Sequence, residues 1–149
     1  MGVAMQSKLI QERAGERTWV VVFGTGEEAM AGLREFAREA NLAGSHFTAI
    51  GAFSDAVLGF FDPDTKQYVK TPVREQVEVL SLLGNVAQHQ GRPKVHAHVV
   101  VGKRDGAALG GHLMEAHVRP TLEVIVVESP RHLERSSDES TGLALLRGE

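Results

Sequence analysis

The feature that most restricts the fold of this sequence is a series of short β-branched and aromatic runs, each bounded by residues that favour turns. Val, Ile, Thr and the aromatic residues pack well on a pleated surface, whereas Gly, Pro, Asn and Asp end such runs. The predicted strands are Lys8–Glu12, Thr18–Phe23, Ser45–Phe53, Ala56–Phe61, Gln67–Lys70, Arg74–Gly84, Lys94–Val101 and Thr121–Glu128. Because most of these strands follow one another across a turn without a helix between them, the pattern predicts a largely antiparallel multi-stranded sheet.

One main helix is predicted after the second strand, because apolar residues recur there at helical spacing and form a single stripe. The stripe consists of Met30, Leu33, Phe36, Ala37 and Ala40. Thr25, with Glu28 three residues later, matches a capping box and predicts where the helix begins. Since strands outnumber helices, the predicted fold class is α+β.

Two residues are expected to interrupt the strands. Gly51 lies inside a predicted strand and indicates a bulge or the close approach of another backbone segment. Pro120 marks a break before the last strand, because proline has no N–H to donate to a neighbouring strand.

Length and composition bound the class of protein. With 149 residues, 42% of them hydrophobic, the chain is expected to form one domain over residues 1–149. The sequence has no cysteine, which excludes disulfides and thiolate metal sites. No apolar run approaches the length of a membrane-spanning helix, and Met1 to Arg13 contain no signal-peptide core, so we expect a cytoplasmic protein without a membrane partner.

The net charge of −3 argues against strong DNA binding, because neutralisation of phosphates supplies much of the affinity of DNA-binding proteins. Arg92, Lys94, Lys103 and Arg104 lie near the two ends of one predicted strand and are the candidates for a local basic patch. The alternative, which we favour, is that they are ordinary solvated charges beside hairpin turns.

Three histidines form a candidate metal site. His96 and His98 lie two apart in the predicted strand Lys94–Val101, so their side chains share one face with about 7 Å between their Cβ atoms. His112 follows a glycine-rich turn and is placed to supply a third nitrogen from the neighbouring strand. Three neutral histidines with an open fourth position form a known catalytic zinc arrangement. The alternative is that the three are ordinary polar strand residues.

Two further residues are candidates for catalysis. Arg74 and Glu78 share one face of the predicted strand Arg74–Gly84. If that face lines the histidine site, Arg74 is placed to bind a carboxylate ligand and Glu78 to act as general base on metal-bound water. The alternative for Glu78 is a solvent-facing position. His117 comes five residues after His112, and this odd separation predicts the opposite face of the strand and a place outside the site.

The order of segments resembles the PPC domain family, the plant and prokaryote conserved domain. The segments that carry the resemblance are Gly51–Phe53, Val57–Asp62, Glu78–Asn85, His96–Gly102, Gly110–Leu113 and Thr121–Val124. The resemblance covers residues 5–147 and implies a compact α+β domain that assembles as a homotrimer. It also implies a DNA-binding or regulatory role, with DNA or a regulatory protein as partner. Gly91–Lys94 is similar to a fragment of the AT-hook of plant members, but Gln90 stands where that motif has arginine.

The fold implied by the resemblance is similar to that of acetolactate decarboxylase, a zinc enzyme with a His-x-His pair and a third histidine. That pattern falls on His96, His98 and His112 and implies a divalent metal, zinc in the first place. Two functions follow as expectations. The first is an oligomeric regulatory domain with a three-histidine metal site. The second is a metal-dependent lyase or hydrolase that acts on a small oxygenated carboxylate.

Overall fold

The structure is a computed structural model that describes residues 4–148. Residues 1–3, at the start of the segment without a predicted signal peptide, lie outside the described residues. Residue 149, the last of the predicted domain, also lies outside them. The elements of residues 4–148 are β1 (Gln6–Arg13), β2 (Glu16–Gly24), α1 (Ala29–Glu39), β3 (Gly44–Asp62), β4 (Gln67–Val73), β5 (Val77–His89), β6 (Arg92–Gly102), β7 (Ala108–Glu128), β8 (Arg135–Ser137) and β9 (Ala144–Leu146). No helix in this part of the chain is long and apolar enough to cross a membrane.

Seven of the strands form one sheet in the order β1-β2-β7-β6-β5-β3-β4, and every pairing within it is antiparallel. β7 also pairs with β3, so the four strands β7, β6, β5 and β3 form a closed ring of paired strands. β8 and β9 form a separate two-stranded hairpin. The predicted fold class, α+β with a largely antiparallel sheet and one main helix, is therefore confirmed.

β3 is one continuous strand where the sequence predicts two. It covers 19 residues, from Gly44 to Asp62, and joins the predicted strands Ser45–Phe53 and Ala56–Phe61. Its register with β7 shifts at three places, so bulges bend the strand without ending it. The predicted interruption at Gly51 is confirmed, because the register of β3 with β5 shifts between Ala49 and Gly51. The backbone also approaches closely there: Gly51 has φ 153°, and a Cβ on it would lie 2.2 Å from the Thr121 carbonyl oxygen.

β7 covers 21 residues and continues through Pro120, so the break predicted there is wrong. Along β7, the residues paired with β3 include Val118 and Leu122 but none between them, so Pro120 has no partner on β3. A proline is tolerated at such a position because no N–H is required of it.

The helix α1 buries Met30, Leu33, Phe36 and Ala37 of the predicted stripe, and half-buried Ala40 is its C-cap. The start of the helix differs from the prediction. The N-cap is Glu28, whose carboxylate accepts hydrogen bonds from the backbone N–H groups of Met30 at 3.1 Å and Ala31 at 2.6 Å. The same carboxylate accepts the N–H of Ala116 at 3.0 Å, which ties the start of the helix to β7. The Thr25 hydroxyl instead donates to the carbonyl oxygen of Pro120 at 3.3 Å. The predicted capping box is therefore wrong.

β5 begins at Val77, not at Arg74 as predicted. β4 and β5 pair with the same edge of β3, end to end, with Val73 opposite Ala56 and Val77 opposite Phe53. Residues 74–76 cross the junction between these two pairings, which removes Arg74 from the strand. Arg74 and Glu78 therefore do not share a strand face.

The core lies on one face of the strands and leaves the histidines on the other. Along β6 the side chains of Val95, Ala97, Val99 and Val101 are buried, while those between them point outward. Because side chains along β6 alternate between the two faces of the sheet, His96 and His98 lie on the outer face.

Candidate metal centre

Three imidazole rings meet on the outer face of β6 and β7. In the register of these strands His98 lies opposite His112, and His96 is two residues along β6. The ring centroids are 4.9 Å apart for His96 and His98, 5.1 Å for His96 and His112, and 5.6 Å for His98 and His112. One nitrogen of each ring lies within 4.8 Å of the others, so the group could hold a metal ion.

Glycines allow the strands of the cluster to approach one another. A Cβ on Gly111 would lie 2.8 Å from the carbonyl oxygen of Gly59, so β7 reaches its pairing with β3 only because position 111 has no side chain. A Cβ on Gly84 would lie 2.5 Å from the His96 carbonyl oxygen and 2.2 Å from the Phe47 ring. The close approach of the backbone at these two glycines positions the strands that carry His96 and His112.

Burial keeps two of the rings in the form that binds metal. Burial, with the neighbouring His112 and His98, lowers the pKa of His96 to about 4. Burial also lowers the pKa of His112 from its ordinary value, and the neighbouring His98 lowers it by a smaller amount. Both imidazoles are therefore neutral at pH 7, which is the protonation state of a metal ligand. The Nδ1 atom of His112 is buried without a hydrogen-bond partner in residues 4–148, and the donor set as a whole fits zinc.

Tyr68 packs against the cluster and is a residue that our sequence analysis missed. Its ring lies 4.8 Å from that of His112, centroid to centroid. A Cβ on Gly59 would lie 2.9 Å from the ring of Tyr68, so the glycine makes room for the tyrosine. A glycine between the bulky residues of a strand is a signal of such close packing.

Asn85 and Arg135 form a second layer behind His96. Asn85 lies opposite His96 in the register of β5 and β6. Arg135, in the β8–β9 hairpin, donates to Asn85 Oδ1 at 2.6 Å and to the carbonyl oxygen of Ala144 at 3.0 Å. Burial lowers the pKa of the Arg135 guanidinium. No motif in the sequence singles out Arg135, because it reaches the site from a segment 39 residues further along the chain than His96.

His96 lines two concavities. The larger has a volume of about 510 Å³ and is lined by His96 and His112 together with Tyr68 and Arg135. The smaller, of about 320 Å³, is lined by His96, His98 and Asn85 among others. A ligand in the larger concavity would lie beside two of the three histidines.

The structure does not bring Arg74 or Glu78 to the histidines within one chain. Glu78 lies opposite Gly102, four residues along β6 from His98, which corresponds to about 13 Å. It lines a separate concavity with Lys103 and Arg104. The catalytic role predicted for Arg74 and Glu78 has no support from their placement in this chain and stays a prediction.

His117 lies outside the cluster and has a partner of its own. Its Nδ1 is 2.8 Å from a carboxylate oxygen of Asp55. This contact raises the pKa of His117 and lowers that of Asp55.

The four cations considered for a basic patch do not form one surface. Arg92 and Lys94 lie at one end of β6, and Lys103 and Arg104 follow its other end, about 30 Å away. Lys103 forms an ion pair with Glu75 at 2.8 Å. The segment similar to an AT-hook is held in the turn between β5 and β6 and in the first residues of β6.

With the geometry in place, comparison with known proteins gives the family. Residues 10–130 match the Plants and Prokaryotes Conserved (PCC) domain, and the chain belongs to this family. A solved candidate DNA-binding protein from Bacteroides thetaiotaomicron is 28% identical, with a TM-score of 0.89 over 97% of this chain and 98% of that one. A metal-containing protein from Archaeoglobus fulgidus is 35% identical, with a TM-score of 0.80 over 96% and 97% of the two chains. A plant- and prokaryote-conserved (PPC) protein from Pyrococcus horikoshii is 29% identical, with a TM-score of 0.83 over 97% and 96%.

Two other comparisons are narrower in what they show. The bifunctional protein GlmU of Synechococcus sp. (strain JA-3-3Ab) is 31% identical over 120 residues, which are 78% of this chain and 18% of that protein. The chain thus spans less than a fifth of that curated relative. A Staphylococcus aureus protein of unknown function, similar to alpha-acetolactate decarboxylase, is 14% identical with a TM-score of 0.56 over 82% of this chain and 53% of that one, and shares the fold alone.

Proposed function

We propose that this chain is a metal-binding PCC-domain protein in which His96, His98 and His112 hold one divalent ion, zinc in the first place. The observation that carries the proposal is the convergence of three ring nitrogens within 4.8 Å. The neutral state of His96 and His112 and the unpartnered Nδ1 of His112 support it. The Archaeoglobus fulgidus relative, 35% identical, is described as metal-containing. A bound ion would supply Lewis-acid polarisation of an oxygen ligand.

Metal content per chain tests this proposal directly. Untagged protein that has never contacted nickel resin is analysed by plasma mass spectrometry, together with the variants His98→Ala and Glu78→Gln. We expect about one ion per chain in the wild type and in Glu78→Gln, and none in His98→Ala. Absence of metal from the wild type, or retention of metal in His98→Ala, would refute the proposal.

We further propose that the chain assembles with itself as a homotrimer. Among the exposed apolar side chains of the sheet, five lie close together and are called the outer apolar face; they are Ile50 (61% exposed), Leu80 (54%), Leu83 (57%), Val100 (40%) and Ile125 (40%). Contiguous exposed apolar surface of this kind is typical of an interaction site. The number of copies rests on the resemblance to the PPC family.

The second candidate function is a metal-dependent lyase or hydrolase that acts on a small oxygenated carboxylate. It is favoured by the concavity of about 510 Å³ that His96 and His112 share with Arg135. A screen of small oxo- and hydroxy-acids against zinc-loaded protein tests it, with His98→Ala as the control. Turnover that is equal in the two proteins, or turnover in neither, would remove this candidate.

A DNA-binding or regulatory role is supported by the comparisons with known proteins but not by the charge of this chain. The Bacteroides thetaiotaomicron relative is described as a candidate DNA-binding protein. Against this, the net charge is −3 and the two pairs of cations on β6 lie at opposite ends of the strand. We therefore propose a regulatory protein, in preference to DNA, as an external partner.

A further inference from the structure

We propose that the larger concavity beside the histidines, called the cationic cavity below, binds a small organic anion through its carboxylate or phosphate group. The proposal deepens the proposed function and rests on it for the metal ion beside the anion. The residues that would recognise the anion are separate from the three histidines, so the two proposals can fail independently.

The charge of the cavity wall is the first argument. Four cationic side chains line it and no Asp or Glu does; the four are Arg34, Arg92, Lys94 and Arg135. None of them forms an ion pair with a carboxylate of residues 4–148, whereas Arg17 and Lys103 elsewhere in the chain do so with Glu128 and Glu75. Guanidinium groups without a carboxylate partner are suited to bind carboxylate or phosphate in a bidentate manner.

Arg135 gives the second argument, because its charge is half-buried and held in place. Its terminal nitrogens donate to Asn85 Oδ1 and to the carbonyl oxygen of Ala144, which are both uncharged acceptors. Its Nε atom is buried and has no hydrogen-bond partner in residues 4–148. A cation withdrawn from water without a counter-charge is unfavourable, and a bound anion would remove that penalty.

The remaining wall and the volume indicate what kind of anion fits. The apolar part of the lining consists of Met30, Pro93, Val95, Leu143, Ala144 and Leu145. A volume of about 510 Å³ falls within the range of small-molecule sites. The wall therefore fits a molecule with a short carbon body and one or two anionic groups, which is a different occupant from a nucleic acid strand.

His98 allows the anion and the metal to be tested apart. His96 and His112 line the cationic cavity, whereas His98 does not. His98→Ala thus removes one proposed metal ligand and none of the residues that line the cavity.

Calorimetric titration of the full chain, freed of metal by chelation and dialysis, tests the proposal. The probes are succinate, inorganic phosphate and the neutral succinamide, each at millimolar concentration. We expect succinate or phosphate to bind and succinamide not to bind; the stronger of the two anions identifies the group that is recognised. The double variant Arg34→Gln/Arg92→Gln is expected to weaken binding at least about tenfold, in line with the loss of two charge-assisted contacts.

The control is Arg104→Gln, which makes the same kind of charge change as each of these substitutions in a different concavity. It should leave the affinity within about twofold of the wild type. Absence of binding of both anions, or equal weakening by Arg104→Gln, would overturn the proposal.

His98→Ala separates the two proposals. Anion binding that persists in this variant supports the cationic cavity. Wild-type protein that contains no metal as isolated, yet binds the anion, would refute the metal site alone. Wild-type protein that contains metal as isolated, yet binds neither anion after the metal is removed, would refute the anion site alone.

Discussion

At the scale of single residues, the low pKa of His96 couples the candidate site to the stability of the fold. Its pKa is about 4 in the folded chain, against an ordinary value of 6.5. Between these values the folded chain binds fewer protons than the unfolded chain at this position. The free energy of unfolding therefore decreases as the pH falls through this range.

Metal-free protein should accordingly lose stability as the pH falls from about 6.5 to about 4, with a contribution from His96 of about 3 kcal/mol at most. Urea denaturation at a series of pH values, compared with His96→Gln, measures this contribution. The two proteins should have similar stability near neutral pH and diverge toward the acidic end of the range, where only the wild type has to protonate a half-buried imidazole. A stability difference that is independent of pH would contradict the prediction.

The sequence predicts the three histidines of the candidate site, but not two residues that lie beside them. The two-residue period of a strand places His96 and His98 on one face, and a short hairpin brings the next histidine beside them. Tyr68 and Arg135 reach the cluster through strand pairings and a terminal hairpin that are remote in sequence. Local periodicity carries no information on such contacts, so these two residues were not predicted.

At the scale of elements, the start of α1 shows how a contact remote in sequence overrides a local motif. The spacing of Thr25 and Glu28 matches a capping box, yet the cap is Glu28 itself. Its carboxylate accepts the Ala116 N–H of β7 in addition to two N–H groups of the helix. One side chain thus satisfies donors of two elements.

Replacement of Glu28 should therefore destabilise the protein more than replacement of Thr25. We expect Glu28→Ala to lower the free energy of unfolding by about 1–2 kcal/mol, as for the loss of a helix cap. Thr25→Ala, whose hydroxyl makes one exposed bond to Pro120, should change it by less than about 0.5 kcal/mol. Urea denaturation measures both; the reverse order would restore the capping box.

The strands themselves were predictable where one local pattern decides, as in the hairpin of β1 and β2. They were less so where a strand bends. The sequence between Phe53 and Ala56 resembles a break, because polar Ser54 and Asp55 interrupt the apolar run. In the structure β7 pairs with β3 across this region, with Asp55 opposite His117, and the strand continues.

At the scale of the whole molecule, the outer apolar face is the feature most directly related to assembly. Four of its five members line one shallow concavity, and Val100 adjoins Leu83. The face borders the cluster, because Leu83 also lies beside His98. Assembly through this face would place a second copy next to the candidate metal centre.

Light scattering should give a particle of about three times the chain mass of 16.1 kDa at micromolar concentration. Leu80→Glu, which puts a charge on the outer apolar face, should shift the mass toward that of one chain. Leu146→Glu provides the matched control, since Leu146 is 43% exposed but lies in β9. A monomeric wild type would contradict the homotrimer.

DNA binding should be weak, with a dissociation constant in the micromolar range or above at physiological salt and a steep dependence on salt. The reason is the net charge of −3 and the separation of the cations on β6. Fluorescence anisotropy with labelled duplexes measures the affinity. Nanomolar, sequence-selective binding would show that the charge argument fails for this protein.

The closure of the sheet through β7 also has a consequence for how the chain is made. β7 is the last long strand, and it pairs with β2, β3 and β6, which precede it. Three earlier strands therefore lack one of their partners until β7 has left the ribosome, and the pairings of β2 and β3 with β7 join residues far apart in the sequence. Folding of this topology is dominated by contacts of high sequence separation, which places it among slow folders. A nascent chain that ends before β7 exposes unpaired strand edges and is a natural client for chaperones.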